Sequence, residues 1–404
     1  MNVIYVGSVY PPGKIDELKD MGSTIDFAAE TFQSSLLQGL CSYYPNLKVI
    51  TAPNITAYPR IKKVFFPKEE FVLPFSGVKH LFAGFFNILG IKHLSKCLRI
   101  RKAIKKTLDR EGDNTIIVYG VHSPFLLALC GIKRSSYKSC LIVPDLPEFM
   151  SGNTNRLYLL GKKVDGWLIR MGLKKIDSYV LFSPHMKERL PIGDKPNTHM
   201  EGIFNAVDMT NEHVEKEKYK TILYTGNISR RMGIPNLIEA FRLIPNPDYR
   251  LWIRGNGECK GLVLQAMKED SRIVYFDPMP KSELFRLQKK ATVLINPVFS
   301  SQTFTRYFFP SKTMEYLASG TPTIMARLAC LPQDYESHLF FLDDESVEGI
   351  KNKIIEVCEK TQTELDAFGK AAAEFILTEK NEHKQAGKIF ALINSIKRKY
   401  KSIK

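Results

Sequence analysis

The sequence predicts an α/β protein made of two doubly wound domains in succession. Three observations carry this. Short apolar runs alternate with amphipathic stretches of helical period. The alternation occurs twice. A polar, charge-rich stretch, Asn211-Glu212-His213-Val214-Glu215-Lys216-Glu217-Lys218, lies between the two series. With 404 residues the chain is long enough for two cores.

The first series opens on 2–6, a β-branched run that ends at Gly7 and reads as a buried strand entering a glycine turn. A helical period over 23–42 follows, marked by Phe27, Glu30, Thr31, Ser34, Leu37 and Leu40. Strand patterns come next at 47–51, 115–119, 140–143 and 178–182, with helical patterns at 95–109 and 122–130. The second series has strands at 221–225, 250–254, 272–276 and 292–295. Its helices fall at 234–243, 282–290, 311–319, 347–360 and 364–376. Strands separated by helices imply parallel βαβ units. The domains expected are 1–205 and 221–380, joined by a linker at 206–220. A last helix, 381–404, ends in Lys397, Arg398, Lys399, Lys401 and Lys404. Open parallel sheets take ligands at the carboxyl ends of their strands, so the chemistry belongs there.

Composition narrows the function classes. Hydrophobic content of 44% and charged content of 25% are ordinary for a globular chain, but a net charge of +16 is not. Such a charge favours an anionic partner. No aromatic RNA-binding signature, zinc finger or helix-turn-helix accompanies it, so no nucleic acid beyond a nucleotide is expected. Cysteines 41, 97, 130, 140, 259, 330 and 358 form no CxxC pair, which argues against a zinc site or a disulfide framework and for a reduced, cytoplasmic setting. The N-terminus lacks the charged region of a signal peptide. The longest apolar stretch, 71–91, is interrupted by Pro74, Gly77, Lys79, His80 and Asn87 and makes a poor spanning helix.

The most informative segment is Phe309-Pro310-Ser311-Lys312-Thr313-Met314-Glu315-Tyr316-Leu317-Ala318-Ser319-Gly320-Thr321-Pro322. Pro310 and a capping Ser311 start a helix, and Gly320 and Pro322 stop it. A helix start with free N–H groups and Lys312 is an anion site, and Glu315 follows three residues later on the same face. A lysine for phosphate and a carboxylate for sugar hydroxyls are what a nucleotide sugar requires. The segment resembles the donor-binding signature of retaining family 4 glycosyltransferases. These have the GT-B fold, two Rossmann-like domains facing across a cleft.

That resemblance covers nearly the whole chain and gives the other motifs their readings. In Thr225-Gly226-Asn227-Ile228-Ser229-Arg230-Arg231-Met232-Gly233, the resembled family has a glycine turn followed by arginine and lysine that bind the donor diphosphate. Here Asn227 and Met232 replace them, and Arg230 or Arg231 serves instead, since a guanidinium forks onto phosphate; the alternative is a solvated turn. Gly255 opens a second tight turn, structural or ligand-contacting. Gly22 and Ser23 are read as a glycine-rich helix start facing the donor diphosphate. His122, after strand 115–119, stands where the family places a histidine near the sugar. Asp145 or Glu148 receives the acceptor hydroxyl, or caps the next element. The family carries two glutamates; the second matches Glu315, while Tyr307 stands eight residues earlier. Pro310, Ser311, Lys312, Thr313 and Glu315 complete the donor contacts, with His122, Arg230, Lys312 and Glu315 as the catalytic set.

Residues 71–110 join phenylalanines and leucines to eight Lys/Arg over 92–110, which fits an anionic membrane surface. A solvated internal insert with an aromatic core face is the plainer reading. The resemblance implies a metal-independent retaining enzyme with no cofactor. It would move sugar from a nucleotide-diphosphate donor to a lipid-linked or glycan acceptor at the inner face of the plasma membrane, in cell-surface polysaccharide assembly. Two alternatives stay open: a nucleotide-sugar 2-epimerase on the same scaffold, and a non-catalytic partner subunit, the latter favoured by Tyr307, Asn227 and Met232.

Overall fold

The structure, a computed structural model, describes residues 1–149, 156–206 and 214–401, apart from the side chains of 156–158 and 397–401. It divides into two compact units. Unit 1 comprises Met1–Ile203 with Glu382–Lys404, and unit 2 comprises Phe204–Asn381. Part of the expected linker, 207–213, and the basic side chains at the end of the last helix lie outside the described residues. The described second half of the expected linker is tied to unit 2: the Lys216 ammonium donates to the Ala291 carbonyl at 2.8 Å and the Thr321 hydroxyl at 3.1 Å. Among the described residues no helix is long and apolar enough to cross a membrane.

Unit 1 contains β1 (Asn2–Gly7), α1 (Lys14–Asp20), α2 (Phe27–Tyr43), β2 (Lys48–Thr51), β3 (Phe65–Phe66), β4 (Glu69–Val72), β5 (Lys79–Phe82) and β6 (Phe85–Phe86). Then come α3 (Lys92–Thr107), β7 (Asn114–Tyr119), α4 (Ser123–Cys130), β8 (Lys138–Val143), α5 (Arg156–Leu173), β9 (Ser178–Leu181) and β10 (Asn197–His199). The main sheet runs β10-β9-β8-β7-β1-β2-β5-β4 and is parallel except for β4, which lies antiparallel to β5. Its central strands are buried throughout, which is why they read as unbroken apolar runs. Strand order reverses between β1 and β7, so this is the sheet's switch point.

Unit 2 contains β11 (Lys220–Asn227), α6 (Ile234–Arg242), β12 (Tyr249–Asn256), α7 (Lys260–Glu269), β13 (Ile273–Phe276) and α8 (Lys281–Lys290). It continues with β14 (Val293–Asn296), α9 (Lys312–Ala318), β15 (Thr323–Ala326), β16 (Phe340–Leu342), α10 (Val347–Cys358) and α11 (Gln362–Glu379). Its sheet is wholly parallel, in the order β13-β12-β11-β14-β15-β16, and its switch point lies between β11 and β14. The final helix, α12 (Glu382–Lys401), packs on α2 of unit 1. There the His383 and Tyr43 rings stack at 4.8 Å and Lys388 pairs with buried Glu201 at 3.2 Å. Gly39 permits this approach, since a Cβ there would overlap the Glu382 carbonyl.

Residues 71–91 are strands and turns, and their aromatics are largely core. Phe82 and Phe85 are buried and pack with Phe66, because alternate residues of the short strands face inward. The basic run that follows is partly internal too. Lys96 is buried in α3, donating to the carbonyls of Ala52 (3.0 Å) and Pro53 (2.6 Å) beneath the Phe85 ring. Lys92 bonds the Ile55 carbonyl, and Arg101 reaches the Leu127 carbonyl at 2.9 Å. The reading of 71–110 as one continuous membrane-facing surface is therefore corrected: a large share of its aromatic and cationic groups is spent holding unit 1 together.

Candidate functional site

In unit 2 the switch point is built from two glycines and one short helix. Gly226 and Gly255 stand in register, next to last in β11 and β12, with φ of 156° and 147°. A Cβ on Gly255 would overlap the Gly226 carbonyl oxygen. On Gly226 it would meet the Lys312 Cε at 3.2 Å, so the lysine stem lies directly over the glycine turn. The Lys312 ammonium stands 4.0 Å from Glu315 Oε2, and both side chains are about one-third exposed. Glu315 Oε1 accepts from Gln288 Nε2 at 2.6 Å. Gln288 is buried on α8, the one polar member of the inward pattern Leu284, Phe285, Gln288.

Tyr316 locks this helix to the turn. Its buried phenol oxygen accepts from the Thr225 N–H at 2.7 Å and donates to the Thr225 carbonyl at 2.9 Å. Arg230 and Arg231 follow in a single exposed turn. The Arg231 guanidinium lies over the Phe304 ring at 3.6 Å, and its carbonyl accepts from Gln302 at 2.7 Å. This joins the glycine turn to the loop before α9. The structure thus brings together Gly226, Gly255, Lys312 and Glu315, with Arg231 fixed nearby and Arg230 facing solvent.

Two expectations for this segment change. Ser311 has a helical backbone (φ −53°) and makes no cap hydrogen bond; the first turn is closed by the buried Pro310, whose carbonyl accepts from the Thr313 N–H at 2.8 Å. Thr313 is fully buried and its hydroxyl donates to the Met325 sulfur at 3.7 Å, so that side chain belongs to the core. Tyr307 is also buried, at the end of a short 3-10 turn.

Unit 1 presents a second polar cluster at its own switch point. His122 caps α4 with extended backbone, and its ring covers Gly120 (φ 80°) and meets Phe125 edge-on at 5.7 Å. Burial, with the nearby Lys96 charge, brings its pKa down to about 4, so it is neutral at physiological pH. Burial and the neighbouring Asp26 carboxylate raise the pKa of Asp145. Glu148 lies apart, exposed and paired with Arg189 at 3.7 Å. The Gly22–Ser23 expectation is corrected. Gly22 (φ 76°) closes the short α1, and α2 starts at Asp26, whose carboxylate accepts from the Ala29 N–H. The Ser23 hydroxyl accepts from the Thr56 N–H at 3.0 Å.

Sequence reasoning passed over Glu30. Its carboxylate accepts from the Tyr10 N–H at 3.0 Å and the Ser34 hydroxyl at 3.1 Å, and burial pushes its pKa up to about 7. With Asp26 it forms an i, i+4 acidic pair on the first turns of α2, a signal present in the sequence but without a motif to flag it.

Residues 208–375, all within unit 2, match the family model described as glycosyl transferases group 1. No curated protein sequence matches the chain. Solved structures match along its length. Sucrose-phosphate synthase from Thermosynechococcus elongatus is 14% identical with a TM-score of 0.61, covering 98% of this chain and 99% of that one. HepE from Anabaena, in complex with UDP, is 11% identical with a TM-score of 0.60, covering 98% and 100%. The lipopolysaccharide outer core galactosyltransferase WaaB is 12% identical with a TM-score of 0.61, covering 98% and 99%. The fold is GT-B, two Rossmann-like halves with parallel sheets, and unit 2 contains the stretch that is similar to the group 1 glycosyl transferase model.

Proposed function

We propose that the protein is a retaining, metal-independent glycosyltransferase that moves a sugar from a nucleotide-diphosphate donor to a lipid-linked or glycan acceptor. The observation that carries this reading is the convergence of Gly226, Gly255, Lys312 and Glu315 at the unit 2 switch point. Gly226 and Gly255 carry no side chain and the Lys312 stem lies over Gly226, so a diphosphate at this strand end would meet the lysine. The Lys312 ammonium then neutralises charge developing on the leaving diphosphate, and the exposed Arg230 and Arg231 add to that field. Glu315, held by Gln288, accepts from donor hydroxyls. In unit 1, His122 is uncharged and can accept or donate one hydrogen bond to the sugar. Asp145 and Glu30 accept from acceptor hydroxyls. Retention follows if a donor phosphate oxygen takes the acceptor proton on the same face of the sugar. The setting is cell-surface polysaccharide assembly, with the protein peripheral at the cytoplasmic face of the membrane.

The test is calorimetry against UDP, GDP, dTDP and their sugars, with and without EDTA. One nucleotide should bind selectively and independently of EDTA. Glu315→Ala should lose that binding. Lys312→Ala should lower kcat by about 10²–10³-fold with the fold intact. A wild-type protein that binds none of them would sink the donor site. Loss of binding in EDTA would sink metal independence.

A further inference from the structure

Among its described side chains, helix α5 exposes several of its largest apolar ones. Its inner face, with Ile169, Gly172 and Leu173, is buried, and α5 packs on α4. Its outer face presents Leu160 (62% exposed), Val164 (53%), Trp167 (55%) and Met171 (40%). These follow one another at spacings of four, three and four, which places them in one stripe along the helix. Lys163, Arg170 and Lys174, all exposed, run along one flank of that stripe. Helix α3 packs on the other side of α4 and repeats the pattern: Leu94 (61%) and Leu98 (50%) are exposed and lead into exposed Lys102 and Lys105. An exposed apolar stripe of this length on a helix marks an interaction surface.

We infer that the outer face of the α3–α4–α5 layer of unit 1 lies on an anionic lipid surface. In this arrangement Leu160, Val164, Trp167 and Met171 enter the interface, and Lys163, Arg170 and Lys174 engage the headgroups. Charge complementarity selects this occupant over a second copy of the chain. The same four-three-four spacing could form a helix–helix seam, but the flank offers only cations. An antiparallel copy would set Lys163 and Arg170 of one helix against the same cations of the other, with no acid to pair them. A bilayer supplies anions in excess and a boundary suited to tryptophan. The net charge of +16 acts in the same direction. This surface deepens the lipid-linked acceptor proposed above and rests on that reading for its purpose. It also places the contact on α5 and the outer stripe of α3, away from residues 71–91.

The chain has two tryptophans, so Trp252→Phe leaves Trp167 as the sole reporter. Vesicles of phosphatidylcholine with phosphatidylglycerol should shift its emission to the blue and co-sediment the protein. Vesicles of phosphatidylcholine alone should do neither, and salt should reverse the binding. In the background that keeps Trp252, the double variant Leu160→Ser/Trp167→Ser and the triple variant Lys163→Glu/Arg170→Glu/Lys174→Glu should each bind anionic vesicles at least tenfold less. Both should keep the wild-type unfolding temperature, because the changed residues are exposed. Unchanged vesicle binding in these variants overturns the inference. So does a Trp167 shift that appears without lipid on raising protein concentration, together with a dimer that Leu160→Ser/Trp167→Ser dissolves. Nucleotide binding by unit 2 is read separately. Its absence would sink the transferase reading and leave the vesicle result standing, while intact binding with no lipid effect would do the reverse.

Discussion

β1 of unit 1 and β11 of unit 2 hold the same place in their sheets: first in sequence, central, and beside the reversal of strand order. Both carry Tyr-x-Gly near their carboxyl ends, at Tyr5–Gly7 and Tyr224–Gly226. In each, a helix side chain pins the backbone at the strand end. Gln33 of α2 accepts from the Ser8 N–H at 2.9 Å, and Tyr316 of α9 accepts from the Thr225 N–H at 2.7 Å. What surrounds the two ends differs. Unit 2 surrounds its end with Lys312, Arg230 and Arg231 and sets a glycine, Gly255, beside Gly226 on the neighbouring strand. Unit 1 surrounds its end with Asp26, Glu30, Asp145 and a neutral His122. One backbone device thus serves two chemistries, a cationic end suited to phosphate and an acidic end suited to hydroxyls. The difference lies in loop and helix-start residues, which the sheet does not constrain.

The largest expected effect comes from breaking the glycine pair that unit 2 has and unit 1 lacks. Gly255→Ala places a Cβ on the Gly226 carbonyl at a φ that L residues rarely adopt. Strain and overpacking together should cost roughly 2–6 kcal/mol. At Gly7, the counterpart of Gly226, the nearest atoms to an added Cβ are in side chains, Tyr5 Cε1 at 2.5 Å and Gln33 Oε1 at 2.6 Å. Gly7→Ala should therefore cost less. Thermal unfolding of the two variants checks this; equal losses would mean that the strand ends are equivalent after all.

Tyr316→Phe tests the pinning bond itself. It strands the Thr225 N–H and carbonyl in a buried place, at a cost of about 1–3 kcal/mol. Because Thr225 precedes Gly226, nucleotide affinity should weaken as well. A variant that unfolds earlier but binds nucleotide as tightly as wild type would separate the pin from the site.

Much of this was readable in the sequence, and the misses share a physical cause. Buried parallel strands such as 2–6 and 115–119 announce themselves because both faces are apolar. The Lys312–Glu315 pairing is readable because three residues of helix fix it. Where one segment's direction depended on another, the sequence was ambiguous. Phe82 and Phe85 could have faced lipid or core, and only their pairing with Phe66 decides it. Helix α5 escaped notice because Gly161 and Gly166 interrupt its sequence and its apolar stripe is exposed. Gly22 read as a helix start because α1, seven residues long after Pro11-Pro12, gave no periodic signal before it. β15 and β16, at four and three residues, are too short for any pattern to stand out.

The smallest effect expected is a change in pH dependence, and it tests the acidic half of the comparison. Burial raises the folded pKa of Glu30 to about 7 from an ordinary 4.5. Between those values the folded chain holds a proton that the unfolded chain has released, so stability falls as pH rises through the window. His122 acts in the opposite sense. Its folded pKa of about 4 lies below the ordinary 6.5, so stability falls as pH drops from 6.5 towards 4. Where the windows overlap the two slopes oppose each other and flatten the wild-type curve. Glu30→Gln removes the first contribution, and its amide oxygen can still accept from the Tyr10 N–H. The unfolding temperature of the variant should therefore climb more steeply than that of wild type from pH 4.5 to 6.5, and exceed it above pH 7. Parallel curves would mean that Glu30 titrates as a surface carboxylate. The switch point of unit 1 would then lose the desolvated acid that sets it apart from the cationic turn of unit 2.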